Sequence, residues 1–391
     1  MDTKQIPYAS QLIDEQDIAA VGAALRAAWI TRGPEVAAFE EAIAGRVQAR
    51  YAVAFNSGTS ALSAAYSAAA VGKGDKIFTS ANTFIGTLSG GLQRGATAHF
   101  IDIDADTGLI DLNSLEREIN SPATRSKEVI VPVHFAGVSV DVCALSSLVR
   151  RLDTVIIEDA AQALGSCDPQ GNPVGSCAFS DMTIFSFHPS KTITTGEGGM
   201  VTTNDHDLYH RLILFRDNGI ERDPTYWQQQ AAPWHYEVVD FTGNYHMNAF
   251  QAALGSSQLK KMDRFIALRE KLRTKYIEEL AGVETLQILK GAPQTVCHLF
   301  IVKIDFSRLG ISREEVMESL KKQGIGTQVH YIPLYRHPVF KTASDADFAS
   351  FYPSAESYYA SALTLPLHCQ MDEKDVVRIC QVVKELLLRK F

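Results

Sequence analysis

One lysine in this sequence stands where an apolar run ends and a glycine-rich turn begins. Phe185-Ser186-Phe187-His188-Pro189-Ser190-Lys191 leads into Thr194-Thr195-Gly196-Glu197-Gly198-Gly199. A strand end followed by such a turn can carry Lys191 into a crevice, where burial and nearby positive charge leave an amine free to condense with an aldehyde. The plain alternative is a solvated loop charge. Three more clusters bear on that choice. After YAVAF (51–55), Asn56-Ser57-Gly58-Thr59-Ser60 opens an Ala-rich helix, whose free amides and the Thr59 and Ser60 hydroxyls make a phosphate cradle. Capping by Ser57 or Thr59 is the plain alternative. After TVII (154–157), Glu158 and Asp159 project from a strand too apolar to be exposed. Asp159 needs a cationic partner, and a protonated pyridine nitrogen would supply one. Its plain alternative is a turn former. Ala160 and Ala161 are small enough to admit a flat ring, and Gln162 can donate to a ring oxygen. After KIFTS (76–80), Phe84 can lie over that ring or pack in the core. Phosphate clamp, ring-nitrogen partner, stacking aromatic and Schiff-base lysine together describe a pyridoxal phosphate site.

These residues need a scaffold that brings strand ends together. Short β-branched or apolar runs supply it: YAVAF, KIFTS, TAHFID (97–102), EVIVPVHF (128–135), TVIIED (154–159), MTIFSF (182–187) and GMVTTN (199–204). Helical patterns at 59–70, 85–94, 111–119 and 141–151 separate most of them, which predicts crossover units, a mainly parallel sheet and ligands at the strands' carboxyl ends. The chain opens with a helix over 14–28, capped by Asp14, with Ile18, Val21 and Leu25 on its core face. Long helices over roughly 246–281 lead to a strand-like CHLFIVKIDF (297–306), a helix from Ser312 to Gly324, TQVHY (327–331) and a terminal helix over 372–390. The expectation is a large α/β domain over 1–250 and a linking helix with a smaller α+β domain over 251–391. The stretch 221–240 reads as a surface loop, and with 331–345 it offers Trp227, Trp234, Tyr335 and Arg336 to a substrate.

Composition narrows the alternatives. The chain has 391 residues, 46% hydrophobic and 21% charged, which fits a globular protein. With 37 Lys plus Arg against 45 Asp plus Glu, no global basic field draws in nucleic acid. The longest apolar stretch, Val129 to Val140, is broken by Pro132, His134 and Gly137, well short of the about 20 apolar residues that span a bilayer. The acidic opening lacks a secretory signal, so a cytoplasmic protein is expected. Six cysteines at irregular spacing argue against a metal site or disulfide framework.

NSGTSAL, EDAAQALG, FSFHPSKTITTGEGGMVTTND, GNYHMNAFQAALGSSQLKK and GIGTQVHYIPLY resemble the DegT/StrS sugar aminotransferases, essentially from end to end. The resemblance implies an aspartate aminotransferase type fold and ping-pong transfer from L-glutamate through pyridoxamine phosphate to a keto nucleotide sugar. IPYASQLIDEQDIAAV and VPVHFAG most resemble members of the pseudaminic acid pathway. Their acceptor is UDP-2-acetamido-2,6-dideoxy-beta-L-arabino-hex-4-ulose, aminated at C4. Carried over, Lys191 is the Schiff-base residue and proton shuttle, Asp159 the pyridinium partner, Gln162 a neighbour of the cofactor hydroxyl and Phe84 the stacking ring. Ser57, Gly58, Thr59, Ser60 and Ser186 would hold the phosphate, joined by Asn244 from the second subunit of a homodimer. His188, His330 and Tyr331 would line the sugar side. Against the family pattern, His246 replaces an Arg, Ala249 an acid, Asn218 a His, and Gln162 the His of several pseudaminic relatives. Other 3-keto or 4-keto dTDP, GDP or UDP sugars stay open as acceptors. A sugar dehydratase, which would replace the lysine by histidine, and a non-catalytic regulator fit the retained Lys191 and Asp159 less well.

Overall fold

The computed structural model describes residues 4–119, 127–149, 154–228, 232–340 and 348–387. The ends of the expected helices at 150–151 and 388–390, and loop positions 229–231 and 341–345, lie outside the described residues.

The β-branched runs form the seven strands of one sheet: β1 (Tyr51–Phe55), β2 (Lys76–Ser80), β3 (Thr97–Ile101), β4 (Glu128–Val131), β5 (Thr154–Asp159), β6 (Met182–Ser186) and β7 (Gly199–Thr203). Their order is β1-β7-β6-β5-β4-β2-β3. Every neighbouring pair is parallel except β6 with β7 and β7 with β1. β7 alone therefore runs against the rest, and β1, β2, β5 and β6 all end at one edge.

Alternation along the strands fills both faces of the sheet. Val53, Phe55, Val129, Val131, Ile157 and Val201 join one core, while Ala52, Ala54, Phe185 and Met200 join another and Ile130 and Ile156 a third. A sheet buried on both sides is what its near-continuous apolar runs demand.

A two-residue hairpin, β8 (Ile220–Glu221) with β9 (Glu237–Val238), interrupts the loop over 221–240. A second, antiparallel sheet follows in the order β10 (Leu286–Ile288), β11 (Phe300–Ile304), β12 (Ala362–Leu365). Helices Met262–Leu280, Arg313–Lys322 and Glu373–Leu387 build its core from Leu272, Tyr276, Val316, Leu320, Ile379 and Val383. Ile6 belongs to that core too and pairs with Ile325, so the first residues pack on the second sheet's side.

Three expectations change. The helix over 246–281 is two, Ala249–Leu259 and Met262–Leu280, and the break turns Lys261 Nζ onto Asp14 and Asp17, each at 2.7 Å. Asp17 thereby becomes the inward side of the first helix, Glu15–Arg26, with Gln258 Nε2 donating to it at 2.7 Å, and the apolar stripe turns outward. Ile18 is 56% and Leu25 54% exposed. TQVHY makes only a bridge from Gln328 to Thr364, on β12, a four-residue strand that its helical surroundings concealed in the sequence.

Candidate active site

Four strand ends meet at the sheet edge. At the first, Ser57 caps helix Gly58–Ala68: its hydroxyl accepts the Ser60 N–H at 3.1 Å, and its carbonyl accepts the Ala61 N–H at 3.0 Å. Ser60 Oγ accepts from Ser57 N at 3.0 Å and donates to Asn56 Oδ1 at 2.6 Å. Both serine hydroxyls thus serve the capping reading. The first-turn amides of Gly58 and Thr59 remain as donors, with the exposed Thr59 hydroxyl beside them. Gly58 leaves a gap next to β6, because a Cβ there would stand 3.0 Å from Ser186 Cβ and 3.2 Å from its Oγ.

At the end of β5, Asp159 and Glu158 part company. Asp159 is buried, and its Oδ2 accepts the Thr87 hydroxyl at 2.6 Å while its Oδ1 accepts the Ala161 N–H at 3.2 Å. Thr83 Oγ1 lies 2.7 Å from Thr87 Oγ1, and since the Thr87 proton goes to the carboxylate, Thr83 is the donor. No ion pair reaches Asp159 among the described residues. Glu158 does not face the crevice as expected. Successive strand residues point to opposite faces, and its carboxylate accepts from His134 Nε2 at 2.7 Å, Thr183 at 2.9 Å and Ser180. His134 Nδ1 accepts the Val140 N–H at 3.0 Å, which puts the ring proton on Nε2. Burial raises the Glu158 pKa, and these hydrogen bonds outweigh it, so the group ends below the usual range.

Lys191 follows β6 in a turn that its own N–H closes onto the His188 carbonyl at 2.9 Å. Burial lowers its pKa to about 8, against the pull of Asp159, which favours the charged form. Its side chain is only partly exposed. Phe84 is 57% exposed, a ring without a core to pack in, and its centroid lies 6.2 Å from that of Tyr331.

Gln162 is more occupied than the sequence suggested. Its Oε1 accepts the Ala136 N–H at 2.7 Å and its Nε2 donates to the Tyr331 hydroxyl at 2.9 Å. Tyr331 N–H in turn donates to Asn82 Oδ1 at 2.8 Å. His330 is buried with Nδ1 2.9 Å from Thr364 Oγ1, and burial, aided by Lys191, pushes its pKa down to about 4. His188 is exposed and bonded through Nδ1 to Ser190 Oγ at 2.9 Å. Asn244 is exposed as well; its neighbour Tyr245 accepts the Asn56 N–H at 2.9 Å, beside the capping turn. Tyr335 and Arg336 are engaged elsewhere, both on the Glu356 carboxylate at 2.8 Å.

Sequence reasoning missed Thr83, Thr87, Asn82 and His298. The first three lie in the turn that follows β2, residues 82–87, where a hydroxyl just inside a helix facing a strand-end acid was the available signal. His298 is buried, its Nδ1 has no hydrogen-bond partner among the described residues, and burial with the charge of Lys191 holds it well below the usual pKa.

The family model for the DegT/DnrJ/EryC1/StrS aminotransferases matches residues 11–384. The chain belongs to that family. It is 35% identical to the UDP-4-amino-4,6-dideoxy-N-acetyl-beta-L-altrosamine transaminase of Campylobacter jejuni over 373 residues, covering 95% of this chain and 94% of that protein. Among solved structures, PseC of Helicobacter pylori, an aminotransferase involved in the biosynthesis of pseudoaminic acid, superposes with a TM-score of 0.87 at 31% identity, over 98% of this chain and 99% of that one. A protein of Streptococcus pneumoniae described as a sugar aminotransferase, solved in PMP and PLP forms, gives 0.87 at 29% and 28% identity over 98% of both chains. This DegT/DnrJ/EryC1/StrS aminotransferase therefore has the α/β fold of the pyridoxal phosphate dependent sugar aminotransferases and uses that cofactor. The site suits it on three observations: free helix amides beside the gap at Gly58, a buried carboxylate with no ion pair among the described residues, and an amine of lowered proton affinity.

Proposed function

We propose that this aminotransferase moves an amino group from L-glutamate to C4 of UDP-2-acetamido-2,6-dideoxy-beta-L-arabino-hex-4-ulose, the acceptor of the pseudaminic acid pathway. The observation that carries the transfer chemistry is the Lys191 amine, its pKa lowered to about 8, in the electrostatic reach of a buried Asp159 that forms no ion pair among the described residues. The acceptor is supported by the likeness to the Campylobacter jejuni and Helicobacter pylori proteins.

Pyridoxal phosphate, when bound, supplies an aldehyde for amines and a cationic ring that withdraws electrons from the adjacent C–H bond. Asp159 offers the ring nitrogen a full negative charge, and Thr87 and Ala161 hold its two oxygens in place so that none of this orientation must be created during reaction. The Gly58 and Thr59 amides, Thr59 Oγ1 and Ser186 would hold the phosphate, while Ser57 and Ser60 shape that turn from behind. Phe84, exposed beside Tyr331, would cover one ring face. Lys191 Nζ, unprotonated for part of the time near neutral pH, takes the α-proton of glutamate and later returns a proton to the sugar carbon. Gln162, fixed by Ala136, sets the Tyr331 hydroxyl at the sugar side, near His188 and His330.

The active unit is a homodimer, with Asn244 reaching the partner's phosphate. Its support is the apolar surface left open on one chain: Ile18, Leu25, and Trp29 at 66% exposed. Incubation with glutamate and a panel of 3-keto and 4-keto UDP, dTDP and GDP sugars, read by product mass, tests the acceptor. Amination of the UDP-linked 4-keto sugar is expected, and exclusive use of another sugar rejects this reading.

A further inference from the structure

Arg32 stands in a backbone conformation that residues with side chains seldom adopt, at φ 53°. Its position is fixed by the chain beyond His246: Thr31 bridges to Asn248, and the Ala249 N–H donates to the Ile30 carbonyl at 3.0 Å. Arg32 Nε then donates to His246 Nε2 at 3.0 Å, and Nη2 reaches the same nitrogen. A ring nitrogen that accepts from a guanidinium carries no proton, so the imidazole proton sits on Nδ1, facing Asp217 Oδ1 at 3.4 Å. Burial, opposed by Asp217 and reinforced by Arg32, Arg216 and Arg222, holds His246 at about 4, in agreement with a neutral ring. Asp217 is itself bound to Arg216 Nε at 3.0 Å, and Arg216 to Glu40 at 2.7 Å.

His246 is therefore a neutral seat that orients Arg32 without cancelling its charge. Among the described residues no carboxylate forms an ion pair with Arg32 or with Arg222, although Arg216 between them has two. Arg32 spends Nε and Nη2 on the seat and keeps its Nη1 edge for another partner. The chain on both sides of His246 borders the cleft. Tyr245, next to His246, accepts from Asn56 beside the phosphate turn, and Gln251 Nε2 donates at 2.8 Å to the Glu197 carbonyl in the glycine-rich turn behind Lys191.

We propose that Arg32, seated on His246 and assisted by Arg222, binds an oxyanion of the substrate at the mouth of the cleft. Two groups have that chemistry in the reaction, a carboxylate of the amino donor and the diphosphate of the nucleotide sugar. The inference rests on the aminotransferase reading of this cleft and deepens it.

The test uses the holoenzyme with R32A, R32K, H246A and H246Q. Calorimetric titration with UDP, or with dTDP or GDP where wild type binds that nucleotide more tightly, reads the diphosphate arm. The glutamate concentration that half-converts the cofactor spectrum, with no sugar present, reads the carboxylate arm. R32A is expected to weaken one arm roughly 10- to 100-fold, the loss of a charge-assisted hydrogen bond. H246A should weaken the same arm, and H246Q, whose amide oxygen can still accept from Arg32, should restore most of it. Both arms unchanged in R32A overturns the proposal, including where the variant only loosens the dimer. Should R32A fail to fold, R32K decides, because a point charge cannot reproduce the two-pronged contact and the same arm must weaken several-fold. Neither arm contains a keto sugar, so a wrong acceptor assignment leaves this result standing, and the reverse holds too.

Discussion

Thr87 donates its hydroxyl proton to Asp159 Oδ2 at 2.6 Å, and Thr83 backs it at 2.7 Å from the Thr87 oxygen. A buried carboxylate held this way keeps its direction before any cationic ring arrives. Thr87→Val removes the donor without changing the shape, so kcat should fall about tenfold, matching roughly 1.5 kcal/mol for a hydrogen bond to a charged group. Thr87→Ser should retain most of the rate. Steady-state assays on both variants decide, and an unimpaired valine enzyme removes the positioning role.

Lys191 should govern how fast cofactor-free protein takes up pyridoxal phosphate. Its amine must be unprotonated to add to the aldehyde, and burial has lowered its pKa from 10.5 to about 8. The second-order rate of the spectral change should climb with pH and level off with a midpoint near 8, and Lys191→Ala should give no bound spectrum. The same shift has a stability consequence with a definite sign. Between pH 8 and 10.5 the unfolded lysine is protonated and the folded one is not, so cofactor-free protein gains stability from this group as pH rises through that window. Urea titrations of wild type and Lys191→Met across the window measure the difference.

Three buried histidines give the opposite flank. His330 and His368 are pushed down to about 4, and His298 well below its ordinary 6.5, each mainly by burial. As pH falls from about 6.5 toward 4 the unfolded chain takes up protons that the folded chain refuses, so stability is lost over that range. His330→Gln should flatten the loss by up to one proton's worth of slope in urea titrations at pH 7, 6 and 5. An unchanged slope would mean that His330 titrates normally in the folded protein.

Adjacent acids in β5 should separate stability from catalysis. His134 is one of three donors to Glu158 inside the protein, so His134→Ala removes a hydrogen bond from a buried charge and should cost about 2–3 kcal/mol in unfolding free energy. Asp159→Asn keeps the fold but removes the charge offered to the ring, and kcat should drop by roughly 10²–10³-fold or more. Chemical denaturation beside single-turnover rates tests the contrast; a catalytic defect larger in the His134 variant than in the Asp159 variant would falsify it.

The sequence displayed most of the sheet because strands buried on both faces must be written as unbroken apolar runs, and the site because strand ends are short and polar. What it concealed depends on partners remote in the chain. Nothing near Lys260 and Lys261 resembles a helix break; the break follows from Lys261 meeting Asp14 and Asp17 some 247 and 244 positions earlier, the same contact that turns Ile18 and Leu25 outward. Glu158 looked equivalent to Asp159 until the pleat assigned them opposite faces. Gln162 was visible as a candidate, but its tie to Ala136 and Tyr331 was not, since those residues arrive from two other loops.

The gap at Gly58 gives the sharpest geometric test of the cradle. A methyl group there would stand 3.0 Å from Ser186 Cβ, closer than side-chain carbons ordinarily approach. Gly58→Ala should therefore push the turn and β6 apart where the first helix amides point, and weaken pyridoxal phosphate binding by about 1–3 kcal/mol, the usual cost of overpacking. Ser186→Gly alone should cost less, since it removes one hydroxyl and opens space. In the double variant the clash is gone, so the two effects should fall short of their sum by about 1 kcal/mol or more, a coupling expected only of residues in contact. Equilibrium dialysis of the cofactor against all four proteins closes the cycle. Simple additivity would show that Gly58 and Ser186 do not share the phosphate end of the cleft.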